Sequence, residues 1–239
     1  MKILTAHQPV YLPWLGLFHK IALSDTYVFL DTAQYLKKDW NNRNKIKTAQ
    51  GWIWLTIPVI TKGKREQTLQ EVRIDNQVNW KRKHWQSIRV NYSKAPYFHR
   101  YADFFQGIYQ REWDYLNDLN EVILRFLLNE LGIKVNFIKA STELELEGRK
   151  SDLVLDMCLK LNANVYIFGA LGKNYAEVNK FDKHGISVLF QDYQHPEYSQ
   201  QFGAFEPYMS VIDLLFNHGD DSLEIIMSNN ITTEEILRT

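Results

Sequence analysis

The 239-residue chain holds a single cysteine, Cys158. One thiol excludes an internal disulfide and any cysteine-based zinc site. Its position within an apolar helical run reads as buried packing rather than nucleophilic duty. The seven histidines form no HxxxH or HxH pair, and no carboxylate cluster has ligand spacing, so no metal site is expected. The G-x-S-x-G elbow, the phosphate loop ending in Gly-Lys-Ser/Thr and the full G-x-G-x-x-G fingerprint are all missing. No apolar run reaches the roughly 18 residues that a transmembrane helix needs. The start, MKILTAHQPV, turns polar at His7 and Gln8 after about three apolar residues, too few for a signal peptide. A cytoplasmic protein is the expectation. There are no repeats and no low-complexity segments.

Net charge is also lacking, but its distribution is uneven. Residues 1–110 carry 17 Lys+Arg against 7 Asp+Glu, a balance of +10. The remaining residues carry 11 against 21, a balance of −10. Nearly all of the positive excess lies between Lys37 and Lys94. Such a field suits phosphates, nucleotides or RNA, although two halves that attract each other with solvated faces would show the same split.

What is present is a strand–helix alternation. MKILTA, then LGLFHKIALS with helical spacing, then TYVFLDT make a βαβ unit with a parallel pair. WIWLTIPV (52–59) reads as a third strand, with the short EVRID (71–75) pairing near it. Helices are expected over about 78–90, 100–110 and 113–132, the last ending at Gly132 as its C′ residue. KVNFIKAS, a helix over 150–162, NVYIFG, a helix over 175–184 and ISVLFQDY complete the pattern. The expected fold is α/β: a three-layer, mostly parallel, Rossmann-like sheet with a helical, basic insertion. One domain over 1–219 is expected, with about 60–110 as a helical insertion or lid, followed by a weakly structured tail over 220–239.

Ligands of open parallel sheets bind at the carboxyl ends of the strands, and unusual polar residues follow five strands here. The corner TAHQPVYLPWLGLFHK holds His7, Gln8, Tyr11, Trp14, Gly16 and Lys20. Its prolines keep Gln8 and Leu12 extended, and the following helix start offers unpaired N–H groups to an anion. Asp31, Gln34 and Tyr35 follow the second strand, and Ser141 to Glu143 follow KVNFIKA. Gly169, Gly172 and Tyr175 sit in GALGKNY, a tight turn that either clears space for substrate or touches phosphate. Gln191, His195 and Tyr198 lie in QDYQHPEYSQQFGAF, where His195 could face His7 across a site. KKDWNNRNKIKT (37–48) joins Arg43, Asn44, Lys45 and Lys47 to an indole, a mix suited to a phosphorylated or sugar ligand or, extended by WKRKHW, to RNA backbone. His7, Gln8, Asp31 and His195 are the candidate catalytic groups. The other numbered residues, apart from Leu12, Ser141 and Glu143, are the candidate binding groups.

The segments HQPVYLPWLGLFHKI, LDTAQYLKKDWNNRNKIKT, QGWIWLTIPV, KHWQSI, NYSKAPYF and QDYQHPEYSQQFGAFEPYMSVIDLLFN carry a resemblance. Over roughly residues 1–219 the chain resembles the WbqC-like family. Members of that family occur in bacterial clusters for O-antigen and other surface polysaccharides, including lipopolysaccharide, and are described as glycine transferases. The resemblance therefore implies transfer of a glycyl or other aminoacyl group to an amino sugar or nucleotide-linked amino sugar, with no cofactor beyond the activated donor. Under that reading His7 or His195 would be the base, Gln8, Asn44 and backbone amides the oxyanion donors, and Arg43, Lys45 and Lys47 the phosphate-binding cations. A charged tRNA is one source of the donor. Two readings stand beside it: a nucleotidylyltransferase-like enzyme, whose HxGH tetrad the corner lacks, and a non-catalytic sugar- or nucleotide-binding protein.

Overall fold

The computed structural model describes residues 1–64 and 66–238. Three of its strands are apolar on both faces, as strands covered by helices on both sides must be. These are β1 (Ile3–His7), β2 (Thr26–Phe29) and, later in the chain, VYIF of residues 165–168, each buried almost throughout. Between β1 and β2 runs helix α1 (Leu15–Ala22), buried at every position from Leu15 to Ile21. After β2 come the antiparallel strands β3 (Arg43–Thr48) and β4 (Gly51–Thr56), then helices α2 (Trp80–Tyr92), α3 (Phe98–Gln110) and α4 (Leu116–Glu130). The alternation then resumes with β5 (Asn136–Lys139), the short α5 (Ala140–Glu143), α6 (Ser151–Lys160), β6 (Val165–Phe168), α7 (Val178–Asp182) and β7 (Ser187–Phe190). Helices α8 (Val211–His218), α9 (Ser222–Met227) and α10 (Thr233–Leu237) close the chain.

The main sheet has five parallel strands in the order β5-β2-β1-β6-β7. The chain builds outward from β1 through β2 to β5, then returns to β1 and builds the other way through β6 and β7. The direction reverses between β1 and β6; in open parallel sheets the crevice beside such a reversal, at the carboxyl ends of the strands, is where ligands bind. Extending the β1/β6 register beyond Thr5↔Ile167 by two residues sets His7 beside Gly169.

Helices cover both faces. Leu4, Ala6, Val28, Tyr166 and Phe168 pack with Val154, Met157 and Cys158 of α6 and Phe181 of α7. On the other face Tyr27 and Phe29 join α1, α2, α3, α4 and α8 in one large apolar cluster. The inserted helices thus share their core with α1 and the sheet. Leu116, Leu119, Ile123 and Leu127 of α4 are 0 % exposed, and truncating one such leucine to alanine costs about 2–5 kcal/mol. The end of α4 is fixed by Gly132 at φ +68°: its N–H reaches Asn129 O at 3.0 Å and Ile133 N–H reaches Leu128 O at 2.9 Å. This is the paired bonding that a left-handed C′ residue permits.

Two expectations are corrected. WIWLTIPV does not join the parallel sheet. Its first part, β4, pairs with β3 in a separate hairpin turning through residues 49 and 50, and Gly51 at φ +108° takes the geometry that turn demands. The stretch 37–48 is a strand from Arg43 onward. The residues after Asp220 form α9 and α10, with Ile226 and Ile236 buried. EVRID pairs as isolated bridges, Val59↔Ile74 and Arg73↔Tyr115. Among the described residues no helix is long and apolar enough to cross a membrane.

Candidate functional site

His7 ends β1 at the reversal of strand order. Its Nδ1 lies 2.8 Å from Gln8 O. A carbonyl only accepts, so Nδ1 carries the proton and Nε2 holds the lone pair. Nε2 has no hydrogen-bond partner among the described residues. Burial, and next the Lys20 ammonium, push the imidazole down to about 3, so the ring is neutral throughout the physiological range.

Lys20 reaches from α1 to the same strand end. It is 3 % exposed, and its Nζ donates to Ala6 O at 3.0 Å. Burial alone pushes this ammonium down to about 7, with no carboxylate beside it to hold the charge. A buried lysine without a counter-ion is costly, and such groups cluster at functional sites.

From His7 a series of rings leads outward. Trp14 meets the imidazole edge-on at 5.4 Å, Trp40 follows at 5.7 Å, Trp54 at 5.4 Å and Trp52 at 5.8 Å. The hairpin register explains the last part. Arg43, Lys45 and Lys47 alternate on one face of β3 opposite Thr56, Trp54 and Trp52 of β4. Arg43 lies over Trp54 at 4.4 Å, and Lys45 lies over Trp52 at 4.0 Å, both within cation–π range. Lys47 turns away and is 3 % exposed; its Nζ donates to Gln200 Oε1 at 3.0 Å and to Ala204 O.

The remaining candidates are placed elsewhere. Asp31 is fully buried: Oδ1 accepts from Ser141 N at 2.9 Å, and Oδ2 from Ser141 Oγ at 2.6 Å and Asn117 Nδ2 at 3.2 Å. It ties the end of β2 to α5 and α4, with three of its roughly four acceptor sites taken within the protein. Tyr11 points into the helical layer, where its hydroxyl meets His84 Nδ1 at 2.9 Å and Tyr109 Oη at 2.5 Å; it does not wall the crevice. Asn44 is buried, donating from Nδ2 to Leu12 O. Gln34 and Tyr35 run beside Gln67 and Thr68. A Cβ at Gly16 would meet the Tyr193 ring at 3.0 Å, so that glycine admits a side chain rather than a ligand. Gln191 donates from Nε2 to Gly16 O and His19 Nδ1, at 2.8 and 2.9 Å. A Cβ at Gly172 would strike Phe168 Cβ at 2.5 Å, whereas one at Gly169 meets nothing within 4 Å. Tyr175 packs edge-on to Phe168 at 5.8 Å and is 40 % exposed.

His195 does not touch His7. Its Nε2 accepts from Tyr208 N at 3.2 Å, and its Nδ1 donates to Pro196 O at 2.8 Å. Both nitrogens are spent on shaping the 191–210 loop. Tyr198 is buried there and donates to Asp213 Oδ2 at 3.0 Å.

The family model of the WbqC-like protein family matches residues 8–225. The chain belongs to that family. It is also 37% identical over 224 residues to an uncharacterized protein of Mycobacterium tuberculosis, covering 93% of this chain and 96% of that one. No solved structure matches it. The family match begins just after His7 and covers Gln8, Trp14 and Lys20, the hairpin, all three inserted helices and the 191–210 loop. In this WbqC-like chain, then, the candidates fall into four groups. His7, Gln8, Trp14, Lys20 and Gly169 gather at the crevice. Arg43 and Lys45 stand on the ring series. Asp31 and Gln191 brace strand ends. Lys47, His195 and Tyr198 lie in or against the 191–210 loop.

That loop is anchored by a residue the sequence reading passes over. Asp213 of α8 is fully buried and accepts from Tyr92 Oη at 2.8 Å, Tyr198 Oη at 3.0 Å and Gln200 Nε2 at 2.8 Å. Burial raises its carboxyl above the usual range against the pull of those donors and of Lys47. Trp52 and Trp54 were also passed over as ligand groups. The alternation Arg-x-Lys-x-Lys, three residues, then x-Trp-x-Trp is a hairpin signal that finds them.

Proposed function

We propose that the protein transfers an aminoacyl group to the amino group of a nucleotide-linked amino sugar, at the carboxyl ends of β1 and β6. The observation that carries this reading is the grouping at the crevice. An imidazole with an open Nε2, an ammonium without a carboxylate and an indole leading to Arg43 and Lys45 share one strand end. The cations suit the diphosphate and the indoles suit the rings of such a substrate. The transfer itself is what membership of the WbqC-like family implies.

In this reaction the neutral sugar amine attacks the acyl carbonyl. The new C–N bond forms, the bond from the acyl carbon to its carrier breaks, and one amine proton passes to His7 Nε2 and on to the departing carrier atom. An imidazole neutral at every physiological pH begins each turnover as an acceptor and holds the proton briefly, which suits a shuttle more than a strong base. Lys20, pushed down to about 7, is partly protonated near neutral pH, and an arriving anionic substrate would favour its charged form beneath the strand end.

The test is transfer of labelled glycine from activated donors to a panel of amino-sugar nucleotides. Wild-type protein should give the amide, and His7→Gln should lower kcat by roughly 100- to 10,000-fold with little change in KM. Unchanged turnover in His7→Gln removes the shuttle. Release of pyrophosphate from ATP or CTP with magnesium, with no amide formed, would replace aminoacyl transfer by nucleotidylyl transfer.

A further inference from the structure

The transfer reading places Arg43 and Lys45 on a single diphosphate, but one nucleotide-linked sugar does not fill the whole ring series. Trp52 is 40 % exposed near the hairpin turn and stands four successive ring contacts from His7. Lys45 is held at 4.0 Å from the Trp52 ring and 5.4 Å from Trp54, and Arg43 at 4.4 Å from Trp54. Among the described residues neither cation has a carboxylate within 4.0 Å, and Arg43 Nε is buried with no hydrogen-bond partner. From Trp40 through Lys64 the sequence holds no Asp or Glu at all.

A structural ion pair would have supplied acids. A sheet face meant only for packing would have buried its indoles. This face instead alternates unneutralised cations with partly open aromatic rings along a line. Planar rings in series with cations beside them match a chain of bases joined by phosphates: each base has a π-face, and each linkage carries one charge. One nucleotide would occupy one ring; the series offers several. Behind the hairpin, α2 packs on β3 and β4 through His84 Nε2 to Thr56 O at 3.2 Å and Tyr92 Oη to Lys47 N at 2.9 Å. Its exposed Arg82, Lys83 and Arg89 extend the positive field.

We propose that the β3–β4 hairpin is a binding surface for single-stranded nucleic acid, stacking bases on Trp52 and Trp54 with Arg43 and Lys45 on the phosphates. This shares Arg43 and Lys45 with the transfer reading but adds Trp52 and a chain of several nucleotides, and it is read by binding without turnover, so either can fail alone.

The experiment measures binding of a fluorescent single-stranded RNA of about 12 nucleotides to the full chain by anisotropy over a range of salt, with a mononucleotide as competitor. The proposal expects binding that weakens as salt rises, with a log–log slope to which each phosphate contact adds about −0.7. Trp52→Ala, at an exposed position that leaves the fold intact, should weaken binding roughly 5- to 100-fold. Lys45→Gln should reduce the slope by about 0.7. Equal affinity of Trp52→Ala and wild type overturns the proposal, as does salt-independent binding. A mononucleotide that binds as tightly as the oligonucleotide also overturns it, since the surface would then be an ordinary nucleotide site. The Trp52→Ala comparison is repeated with duplex RNA of the same sequence; tighter binding to the duplex would refute base stacking.

Discussion

Replacing Lys20 by methionine should make the protein more stable, and by an amount that depends on pH. The ammonium sits at 3 % exposure with Ala6 O at 3.0 Å as its hydrogen-bond partner. Burial lowers its pKa from 10.5 to about 7. Above pH 10.5 both folded and unfolded chains hold a neutral amine, and the position carries no electrostatic penalty. As pH falls from 10.5 the unfolded chain takes up a proton first, while the native chain waits until about 7. Stability is lost across that window and the loss is complete below it, so wild-type stability rises with pH between about 7 and 10.5. At about 1.4 kcal/mol per pH unit the full loss is ~5 kcal/mol, an upper bound for a site that can relax. The lost hydrogen bond to Ala6 O offsets ~1 kcal/mol of the gain.

The expected result is therefore that Lys20→Met exceeds wild type by ~2–4 kcal/mol near pH 6, with the difference closing to near zero by about pH 10. Urea denaturation followed by tryptophan fluorescence measures it, with both proteins at each pH. Taking the difference cancels the buried tyrosines, whose raised pKa values also make stability pH-dependent in alkali. A difference that stays flat with pH, or a variant less stable than wild type near pH 6, would refute the uncompensated ammonium. A gain in stability joined to a loss of turnover is the behaviour of a group kept for function.

The other predictions concern packing and the buried acid. Gly172→Ala should lower stability by ~2 kcal/mol or more, because its Cβ would sit 2.5 Å from Phe168 Cβ, whereas Gly169→Ala, with nothing within 4 Å, should change it by less than ~0.5 kcal/mol; equal thermal shifts for the pair would contradict the geometry. Asp213→Ala leaves Tyr92, Tyr198 and Gln200 without their acceptor and Lys47 without its anion. It should cost ~3–5 kcal/mol in urea denaturation, and a loss under ~1 kcal/mol would show that the network is not what holds the 191–210 loop. Tyr11→Phe removes a buried hydroxyl shared by His84 and Tyr109. It should cost ~1–3 kcal/mol while leaving transfer activity unchanged; a large fall in kcat at normal stability would return Tyr11 to the site.

Much of the parallel sheet was legible because its signals are local. ILTAH, TYVF and VYIF are apolar on both faces over four or five residues, and the segments between them have helical period, so each strand declares itself. Strand order is not local. It follows from which crossovers turn back over β1, and no short window of sequence records that. WIWLTIPV has the composition of a strand and does bridge to EVRID through Val59 and Ile74, but its main partner is β3, whose cation-x-cation pattern lies just upstream across a two-residue turn. At the site, His7 was legible from its place after β1. Asp31 and His195 were misleading because a polar residue at a strand end reads alike whether it faces a crevice or braces its neighbours. Only the partners, Ser141 and Asn117 for one and Tyr208 and Pro196 for the other, tell the two apart.

The charge asymmetry of the sequence takes a different meaning once the hairpin is in place. A balance of +10 over the first 110 residues, answered by −10 over the rest, would vanish as a functional signal if the halves simply neutralised each other. They do so only in part. Lys81 pairs with Glu112, and Arg100 with Asp220 and Glu130, all at the periphery. Lys20, Arg43 and Lys45, which stand along the line from the crevice to the hairpin tip, have no carboxylate within 4.0 Å among the described residues. Two of the three lie on β3 with their charges over the rings of Trp54 and Trp52, and the third is buried beneath His7. The acids that could have answered them are spent elsewhere: Asp31 on Ser141 and Asn117, Asp213 on two tyrosines and a glutamine. The positive charge left over is thus concentrated by the fold where rings are also exposed, and it is this coincidence, more than the net balance, that points to an anionic ligand with rings of its own.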